Sequence, residues 1–418
     1  MESTENKSWC PILNTIKEIA DTYFTWYGNY GNYIFDEWVN ILKITKERAD
    51  LLKIIEPLQI NQYEDLILIR FGLAEMQDQG GEMWSNENSI YRECRSVVID
   101  IREFEVVQAP FRKFFNLNEV EENSIENIVI EINNAKSVEF TNKLDGSMQC
   151  ATMYKDKILL TGSMAISPKT SWRLEEGYKM LTENHKKMIR DNPNLTFIFE
   201  YISLKDPHVV LYTKDKQGMY LIGVRNKING KQFSYEGIKG FSIIYDIPMT
   251  EIEDITLDKA LEMSKTLESC DKEGWVLNID GHMVKVKCDD YVKLHKCLDK
   301  VSSVNVIIQS IADGTYDDLI SKIPSGYRAR VEGVSKKIFN YVATMNSEIN
   351  LYYNTMKHIE DEKEAMKYIT FEVPTIFQEH VRNLYRGRDF NVLKTKTRYK
   401  RLNELGIADN ISNLFEEE

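Results

Sequence analysis

Apolar residues in the first part of the chain recur at the spacing of amphipathic helices. Ile12, Ile16 and Ile19 are three or four residues apart, and the same steps continue through residues 34–44. This spacing places the apolar side chains on one face of a helix, so we predict that residues 12–55 are helical.

From residue 66 the pattern changes to short apolar runs of strand length that are interrupted by turn residues. These runs predict an α+β fold, in which antiparallel sheets are flanked by helices. Segments 208–212 and 219–225 are predicted to pair as a hairpin. The other predicted strands are 66–73, 91–100, 138–140, 151–153, 158–161, 195–202 and the two arms of a hairpin over 273–287, and the helices between them are 172–189 and 257–268.

Amphipathic helices replace the strands after residue 295. Apolar residues from Val331 to Tyr352 follow a single helical stripe. We therefore predict a mixed domain at 1–295, with a helical N-terminal extension of about 1–60, and an all-helical domain at 296–418. The segment 382–401 is the most basic in the chain, and an RNA-facing surface and a solvated helix face explain it equally well.

Composition narrows the class of protein. Of 418 residues, 43% are hydrophobic and 28% are charged, as in globular proteins. The absence of any apolar run of about 18 residues predicts that no segment spans a membrane. The six cysteines are scattered without CxxC pairs, which indicates reduced thiols in a cytoplasmic protein. The net charge of −12 is unusual for a nucleic-acid binder, although a local basic groove can still bind phosphates.

One lysine lies beside a glycine-containing turn signal. Residues 141–150 read Thr-Asn-Lys-Leu-Asp-Gly-Ser-Met-Gln-Cys, between two apolar runs. Lys143 would lie at the rim of a sheet, and Gly146 would let a phosphate approach backbone N–H groups. Asp-Gly is also the commonest signal for a hairpin turn. On this motif alone, a covalent nucleophile and an ordinary turn are equally supported.

Further charged residues within apolar strands are candidates for the same site. Glu200 interrupts the apolar run 195–202, and a buried carboxylate is costly unless it is paired, which favours a functional role. Lys285 and Lys287 lie on one face of a strand. They either form a solvated edge or bind a phosphate between them. Lys113 precedes two phenylalanines. Either the two rings are ordinary core and the lysine is solvated, or the lysine contacts a phosphate while a ring stacks on a base.

These residues are consistent with a single reaction centre. Lys143 would attack the α-phosphorus of a nucleoside triphosphate, and neighbouring cations would lower the pKa of its amine. Glu200 and Glu273 would hold a metal or bind the ribose hydroxyls. The positive charge around the phosphates would come from magnesium, Arg95, Lys113, Lys285 and Lys287.

The order of the motifs resembles that of the covalent nucleotidyltransferases, and most closely the phage T4-type RNA ligase 1 family. Lys-x-Asp-Gly is followed by a strand ending Phe-Glu-Tyr, then by Glu-Gly-x-Val and Lys-x-Lys. The resemblance extends from about residue 65 onward and weakens beyond residue 308. The supporting stretches are Glu93–Arg95, Lys113–Glu119, Lys143–Ser147, Gly223–Arg225, Lys285–Lys287 and Tyr291–His295.

This resemblance implies an ATP-dependent RNA ligase that joins 3′-hydroxyl and 5′-phosphate ends. It also implies that the helical domain favours a nicked transfer RNA as the substrate. It implies a monomer and a lysyl-AMP formed on Lys143. The implied catalytic residues are Lys143, Glu200, Lys285 and Lys287. The implied ATP contacts are Arg95, Lys113, Phe115, Asp145, Gly146, Glu200, Glu273, Lys285 and Lys287. The implied ligands of Mg²⁺ or Mn²⁺ are Glu200, Glu273, Asp317 and Asp318.

The sequence departs from the family pattern at three places. Ser96 replaces a glycine, residues 161–163 lack an expected lysine, and Leu73 replaces a tyrosine. About forty additional N-terminal residues are interpreted as helical packing. Two alternatives remain: an RNA capping guanylyltransferase, which would carry a β-barrel after Lys-x-Lys, and an RNA-binding protein with an inactive nucleotide site, which the intact Lys143 and Glu200 disfavour.

Overall fold

A computed structural model of the chain describes residues 8–72, 89–267, 271–289, 292, 304–321, 323 and 325–393. The chain divides into two units, Met1–Tyr291 and Val292–Glu418. The predicted boundary at residue 296 and the departure at Leu73 lie outside the described residues.

Strands in the described part of the first unit form three sheets. In chain order they are β1 (Leu58–Tyr63), β2 (Leu66–Phe71), β3 (Arg95–Asp100), β4 (Glu105–Gln108), β5 (Phe115–Asn116), β6 (Val138–Asn142), β7 (Ser147–Tyr154), β8 (Lys157–Thr161), β9 (Leu195–Ile202), β10 (Gly218–Asn226), β11 (Ile252–Glu253), β12 (Gly274–Ile279) and β13 (His282–Lys287). The helices are α1 (Pro11–Tyr27), α2 (Phe35–Thr45), α3 (Ala49–Ile55), α4 (Ile125–Asn134), α5 (Trp172–Met180), α6 (Glu183–Asp191), α7 (Tyr235–Tyr245) and α8 (Leu257–Ser264). The mixed antiparallel and helical content confirms the predicted α+β class.

The N-terminal extension folds as a helical layer. α1 begins with Pro11 at its first position, where a missing N–H costs nothing. The stripe that includes Ile12, Ile16 and Ile19 is buried and shares one core with Trp38 of α2 and with the strands β2 and β3. The predicted helices over residues 12–55 and their packing role are therefore confirmed.

The first sheet has the antiparallel order β1-β2-β3-β4. The predicted strands at 66–73 and 91–100 correspond to β2 and β3, while β1 and β4 were not predicted. β1 is an edge strand that alternates partly buried with exposed residues over most of its length, and β4 contains only two adjacent valines. Neither segment has an apolar run long enough to be distinguished from a loop.

The second sheet has the order β10-β9-β7-β8, and β9 at its centre is buried along its whole length. Helices α5, α6 and α7 contribute to the core on this sheet. The single helix predicted for 172–189 is two helices, because Thr182 caps α6 in a reciprocal pair with His185.

The third sheet has the order β11-β6-β12-β13-β5. β12 and β13 form the predicted hairpin, with Asp280 and Gly281 both at positive φ, as a two-residue turn of this kind requires. β5 joins β13 in parallel, so that Phe115 lies opposite Val284.

The predicted strand at residues 208–212 is wrong. This segment has no strand partner, because the carboxylate of Asp145 accepts hydrogen bonds from the backbone N–H groups of Val209 and Val210, at 2.7 and 2.8 Å. These donors are thereby unavailable to a strand ladder. The partner predicted at 219–225 does form, as β10, and pairs with β9 instead.

The second unit is helical in its described part. Its helices are α9 (Val304–Asp313), α10 (Tyr316–Ser321), α11 (Ser325–Met356), α12 (Glu362–Glu372) and α13 (Thr375–Tyr385). The predicted stripe on α11 is confirmed, because Val331, Val334, Ile338, Met345 and Ile349 are buried. The basic residues from 394 onward lie outside the described part of the chain.

No described helix is long and apolar enough to cross a membrane. Four of the six cysteines, Cys10, Cys94, Cys150 and Cys288, are buried, and their reduced state stays a prediction.

Candidate active site

Lys143 lies in the segment that passes from the third sheet (β6) to the second sheet (β7). Its backbone N–H donates to the carbonyl of Gly274 on β12, 3.0 Å away. Gly146 packs so closely on β9 that an added Cβ would be 2.4 Å from the carbonyl oxygen of Tyr201. The Asp-Gly signal therefore marks a close crossing between two sheets and not a hairpin turn.

A buried carboxylate holds the amine of Lys143. Oε2 of Glu273 accepts from Nζ of Lys143 at 2.7 Å, and Oε1 lies 2.9 Å from Nζ of Lys287. Glu273 is only 3% exposed. Burial alone would raise its pKa, but the two lysines outweigh burial and hold the pKa of Glu273 below its ordinary value.

The surroundings of Lys143 favour the protonated form of its amine. Burial favours the neutral amine, yet the carboxylates of Glu273, Glu200 and Asp145 outweigh it and raise the pKa of Lys143 above its ordinary value. The prediction that neighbouring cations lower this pKa is wrong here, because Glu273 lies between Lys143 and Lys287 and pairs with both.

Lys143 lines a cavity of about 250 Å³ together with three other cations, Arg95, Lys285 and Lys287. Arg95 and Lys285 lie over the ring of Phe114, with the guanidinium carbon 4.9 Å and Nζ 4.7 Å from its centroid. Among the residues that the structure describes, Nη1 of Arg95 has no hydrogen-bond partner. Buried donors without partners and concentrated positive charge are suited to a polyanion.

Charge crowding is most evident at Lys285. Burial, reinforced by repulsion from Arg95, Lys113, Lys143 and Lys287, holds the pKa of Lys285 well below its ordinary value. No carboxylate in the described part of the chain is paired with it. A bound triphosphate would supply the missing negative charge. Apolar walls for a base come from Met148, Ile222, Val276 and Met283.

Glu200 is the carboxylate on the cavity wall. It lies on β9, and its Oε1 accepts from the backbone N–H of Gly146 at 3.0 Å. Burial raises the pKa of Glu200 to about 7, and the nearby charge of Glu273 adds to that rise while Lys143 opposes it. A carboxyl group that titrates near neutrality can exchange a proton during a reaction at neutral pH.

Four of the predicted ATP contacts do not line this cavity: Glu273, which pairs with Lys143 and Lys287, and Asp145, Lys113 and Phe115. Asp145 is 4% exposed and anchors residues 209–210 by the hydrogen bonds described above. Lys113 and Phe115 line an adjacent pocket, whereas Phe114 lines both. The sequence pattern could not tell which of two adjacent aromatic residues faces the cavity.

A polar network beside Lys143 was missed. Ser147 donates to Oδ2 of Asp206 at 2.6 Å, and Arg173 pairs with Oδ1 at 2.9 Å. Burial opposes ionisation of Asp206, but contacts to His208, Ser147 and Arg173 outweigh it and lower its pKa to about 2. The Asp-Pro-His sequence just after a buried strand was the signal available for this network.

The described residues contain no group of three or more His, Cys, Asp and Glu placed to hold a metal. Mg²⁺ commonly uses one or two carboxylates together with substrate phosphates and water. Glu200 fits that limited role, whereas both oxygens of Glu273 are engaged by lysines. Asp317 is exposed on α10, the side chain of Asp318 is outside the described residues, and a metal-binding role for the pair stays a prediction.

The sequence profile of a family described as RNA ligase, of the T4 type, matches residues 93–295. This part of the chain is therefore similar to the T4-type RNA ligases. The matched region contains the lysine-lined cavity and every predicted site residue of the first unit.

Similarity to individual RNA ligases is low. A protein of Autographa californica nuclear polyhedrosis virus, named for polynucleotide kinase and RNA ligase, is 24% identical over 57% of this chain and 36% of its own length, so the chain spans about a third of that relative. A protein of Thermovibrio ammonificans named as an RNA ligase is 22% identical over 78% of this chain and 85% of its own. An archaeal ATP-dependent RNA ligase structure aligns with 84% of this chain and 98% of its own, at 13% identity and a TM-score of 0.40.

One departure from the family now has a structural explanation. Ser96 adopts φ +69°, a conformation that favours glycine. Its hydroxyl donates to the carbonyl of Ser163 at 2.8 Å. Ser96, which replaces the glycine, is therefore hydrogen-bonded to the segment 161–163, which lacks the expected lysine.

Proposed function

We propose that this protein is an ATP-dependent RNA ligase that acts through Lys143. The observation that carries the proposal is the position of the Lys143 amine on a buried cavity wall, beside Arg95, Lys285 and Lys287. A nucleophile next to an anion site is the arrangement that transfer of a phosphoryl-linked nucleotide requires.

The proposed reaction has three balanced steps. Nζ of Lys143 loses a proton and forms a P–N bond to the α-phosphorus of ATP, while the P–O bond to pyrophosphate breaks and pyrophosphate leaves with the electron pair. An oxygen of the RNA 5′-phosphate then forms a P–O bond to the same phosphorus, and the amine of Lys143 leaves and regains a proton. Finally the RNA 3′-hydroxyl attacks the activated 5′-phosphorus, loses its proton and releases AMP.

One carboxylate, Glu273, is in contact with the amine of Lys143 that must lose its proton. Glu273 is within hydrogen-bonding distance, at 2.7 Å, but its pKa is lowered by the lysines. Lys285 and Lys287 would bind the triphosphate, which weakens the hold of Lys287 on Glu273.

Mg²⁺ or Mn²⁺ would neutralise charge on the triphosphate and on the departing pyrophosphate. Glu200 is the group on the cavity that would help to hold it, with phosphate oxygens and water completing the coordination. Substitution of Glu273, and of Asp317 with Asp318, tests the proposal that these residues also bind the metal.

We further propose that the natural substrate is a nicked transfer RNA and that residues 296–418 select it. Support comes from the family resemblance and from the helical character of the described part of that region. The proposal includes a monomeric protein, because one chain carries all the groups assigned to the reaction.

Label transfer from α-labelled nucleotide tests the proposed activity. With ATP and Mg²⁺ the protein is expected to become labelled and to pass the label to 5′-phosphorylated RNA. Labelling by GTP alone would instead support a capping guanylyltransferase, and no label from either nucleotide would support an RNA-binding protein without catalysis.

A further inference from the structure

A second pocket adjoins the catalytic cavity. It has a volume of about 540 Å³ and shares the side chains of Phe114 and Met283 with that cavity. Lys143 lines only the catalytic cavity, so the two spaces meet across Phe114 and Met283 and not across the nucleophile. Met283 and Lys285 are two residues apart on β13, so their side chains share one strand face.

The walls of this pocket are built from ion-paired arginines. Arg225 is 6% exposed, and its Nη1 donates to Oε2 of Glu93 at 2.8 Å. Oε1 of the same carboxylate lies 3.3 Å from Nε of Arg112. Arg92, which is 5% exposed, pairs with Glu122 at 2.8 Å. These pairs fix the guanidinium groups, and among the three arginines Arg112 is the accessible one, with 40% of its side chain exposed.

The N-terminal extension supports the same wall. The ring of Trp9 lies 4.7 Å from the guanidinium carbon of Arg225, and its Nε1 donates to the carbonyl of Lys227 at 3.1 Å. Gly230 passes so close to this ring that an added Cβ would be 2.3 Å from it. The extension is therefore joined through Arg225 and Glu93 to the position of Arg112.

The pocket combines the groups that bind a single-stranded nucleotide. Arg112 and Lys113 supply positive charge beside the aromatic side chains of Phe114 and Phe115. Gln232 and His282 add polar side chains on the wall, with His282 bonded to Glu131 at 2.8 Å and to Asn123 at 3.0 Å. A pocket of this volume is large enough for a small ligand such as one nucleotide.

We propose that this pocket binds the 5′-phosphate strand of the RNA, holding its terminal nucleotide and the phosphodiester that follows. The inference rests on the proposed ligase function. In the second step of that reaction, the 5′-phosphate must attack in line with the bond to the Lys143 amine. The second pocket meets the catalytic cavity at Phe114 and Met283 and is not lined by Lys143, so a strand held there would enter the cavity beside those two side chains.

Arg112→Ala in the full-length protein tests this assignment. Binding is measured by fluorescence anisotropy on a 3′-labelled, 5′-phosphorylated oligoribonucleotide over a salt series without ATP. We expect affinity to fall about tenfold and the slope of log affinity against log salt to become less negative by about 0.7, the value for one phosphate contact in a single strand. In sealing assays, the KM for the 5′-phosphate strand should rise and the KM for the 3′-hydroxyl strand should not.

Arg102→Ala is the matched control. Arg102 is also exposed and has one carboxylate partner, Asp65 at 2.6 Å, but it lines neither cavity. Its variant should leave affinity, salt slope and both KM values unchanged.

Three results for Arg112→Ala would overturn the assignment. The first is an unchanged salt slope, and the second is a rise in KM for the 3′-hydroxyl strand alone. The third is a rise in KM for ATP during labelling, which would show that the pocket binds the triphosphate. Failure of the unmodified protein to accept label from ATP would instead overturn the proposed ligase function. The anisotropy experiment distinguishes the two failures because it needs no chemistry.

Discussion

At the scale of single residues, Glu273 determines the resting state of the nucleophile. Its two oxygens bind Lys143 and Lys287, so one buried carboxylate compensates two partly buried cations. A carboxylate that is 3% exposed would be costly alone, and two charge-assisted hydrogen bonds offset that cost. The same contacts keep Lys143 protonated, and attack requires the neutral amine.

Glu273→Gln is expected to shift the pH dependence of lysine labelling. Without the carboxylate, burial dominates and the pKa of Lys143 falls, so the neutral amine forms at lower pH. The acid limb of the rate profile should move down by about 1–3 pH units, while the plateau falls about 10- to 100-fold because the amine loses its orienting partner. Single-turnover labelling by α-labelled ATP across pH measures both.

Glu253→Gln provides a matched control on the same sheet. Glu253 also pairs with a lysine and accepts from Nε1 of Trp275, but that lysine is Lys272 and not the nucleophile. Its variant should keep the profile of the unmodified protein. An acid limb that stays in place in Glu273→Gln would contradict the assigned role of that carboxylate.

Ser96 gives a second prediction at this scale. Ser96→Ala loses the hydrogen bond to Ser163 but keeps the positive φ, and should cost about 1 kcal/mol of unfolding free energy. Ser96→Gly loses the same bond but relieves the backbone strain, so it should lie within about 0.5 kcal/mol of the unmodified protein. Urea denaturation of both variants measures the difference, and equal stabilities would show that the strain is negligible.

At the scale of elements, Asp145 links the nucleophile segment to residues 209–210. Asp145→Ala leaves two buried N–H groups without their acceptor, so we expect a loss of about 2–4 kcal/mol and faster amide exchange in the segment 203–217. Hydrogen exchange with mass spectrometry measures both effects. Asp65→Ala is the control: it removes a surface pair with Arg102 and should change the free energy of unfolding by about 0–1 kcal/mol. Unchanged amide exchange in Asp145→Ala would contradict the anchoring role of Asp145.

The elements also show what the sequence could predict. The hairpin at Asp280–Gly281 and the stripe on α11 depend on local signals, and both were predicted. Residues 208–212 were predicted wrongly because their hydrogen-bond partner is Asp145, more than sixty residues earlier in the chain. The candidate lysines and carboxylates could be found from strand pattern and motif order, whereas Phe114 and the network at Asp206 depend on tertiary contacts that no local pattern reports.

At the scale of the molecule, the chain joins a cavity-bearing unit to a helical one. If the helical unit selects the RNA, a chain ending at residue 291 should still be labelled by ATP and should lose its preference for nicked transfer RNA over linear strands. Competition between the two RNAs in sealing assays measures that preference. If the truncated chain is labelled normally and keeps the preference for nicked transfer RNA, the role assigned to residues 296–418 is contradicted.

The most direct test of the account is the location of the nucleotide on the protein. After incubation with ATP and Mg²⁺, peptide mass mapping should find AMP on Lys143, through an acid-labile bond, and Lys143→Arg should abolish the modification while retaining the fold by circular dichroism. AMP on another residue, or undiminished labelling of Lys143→Arg, would contradict the central claim.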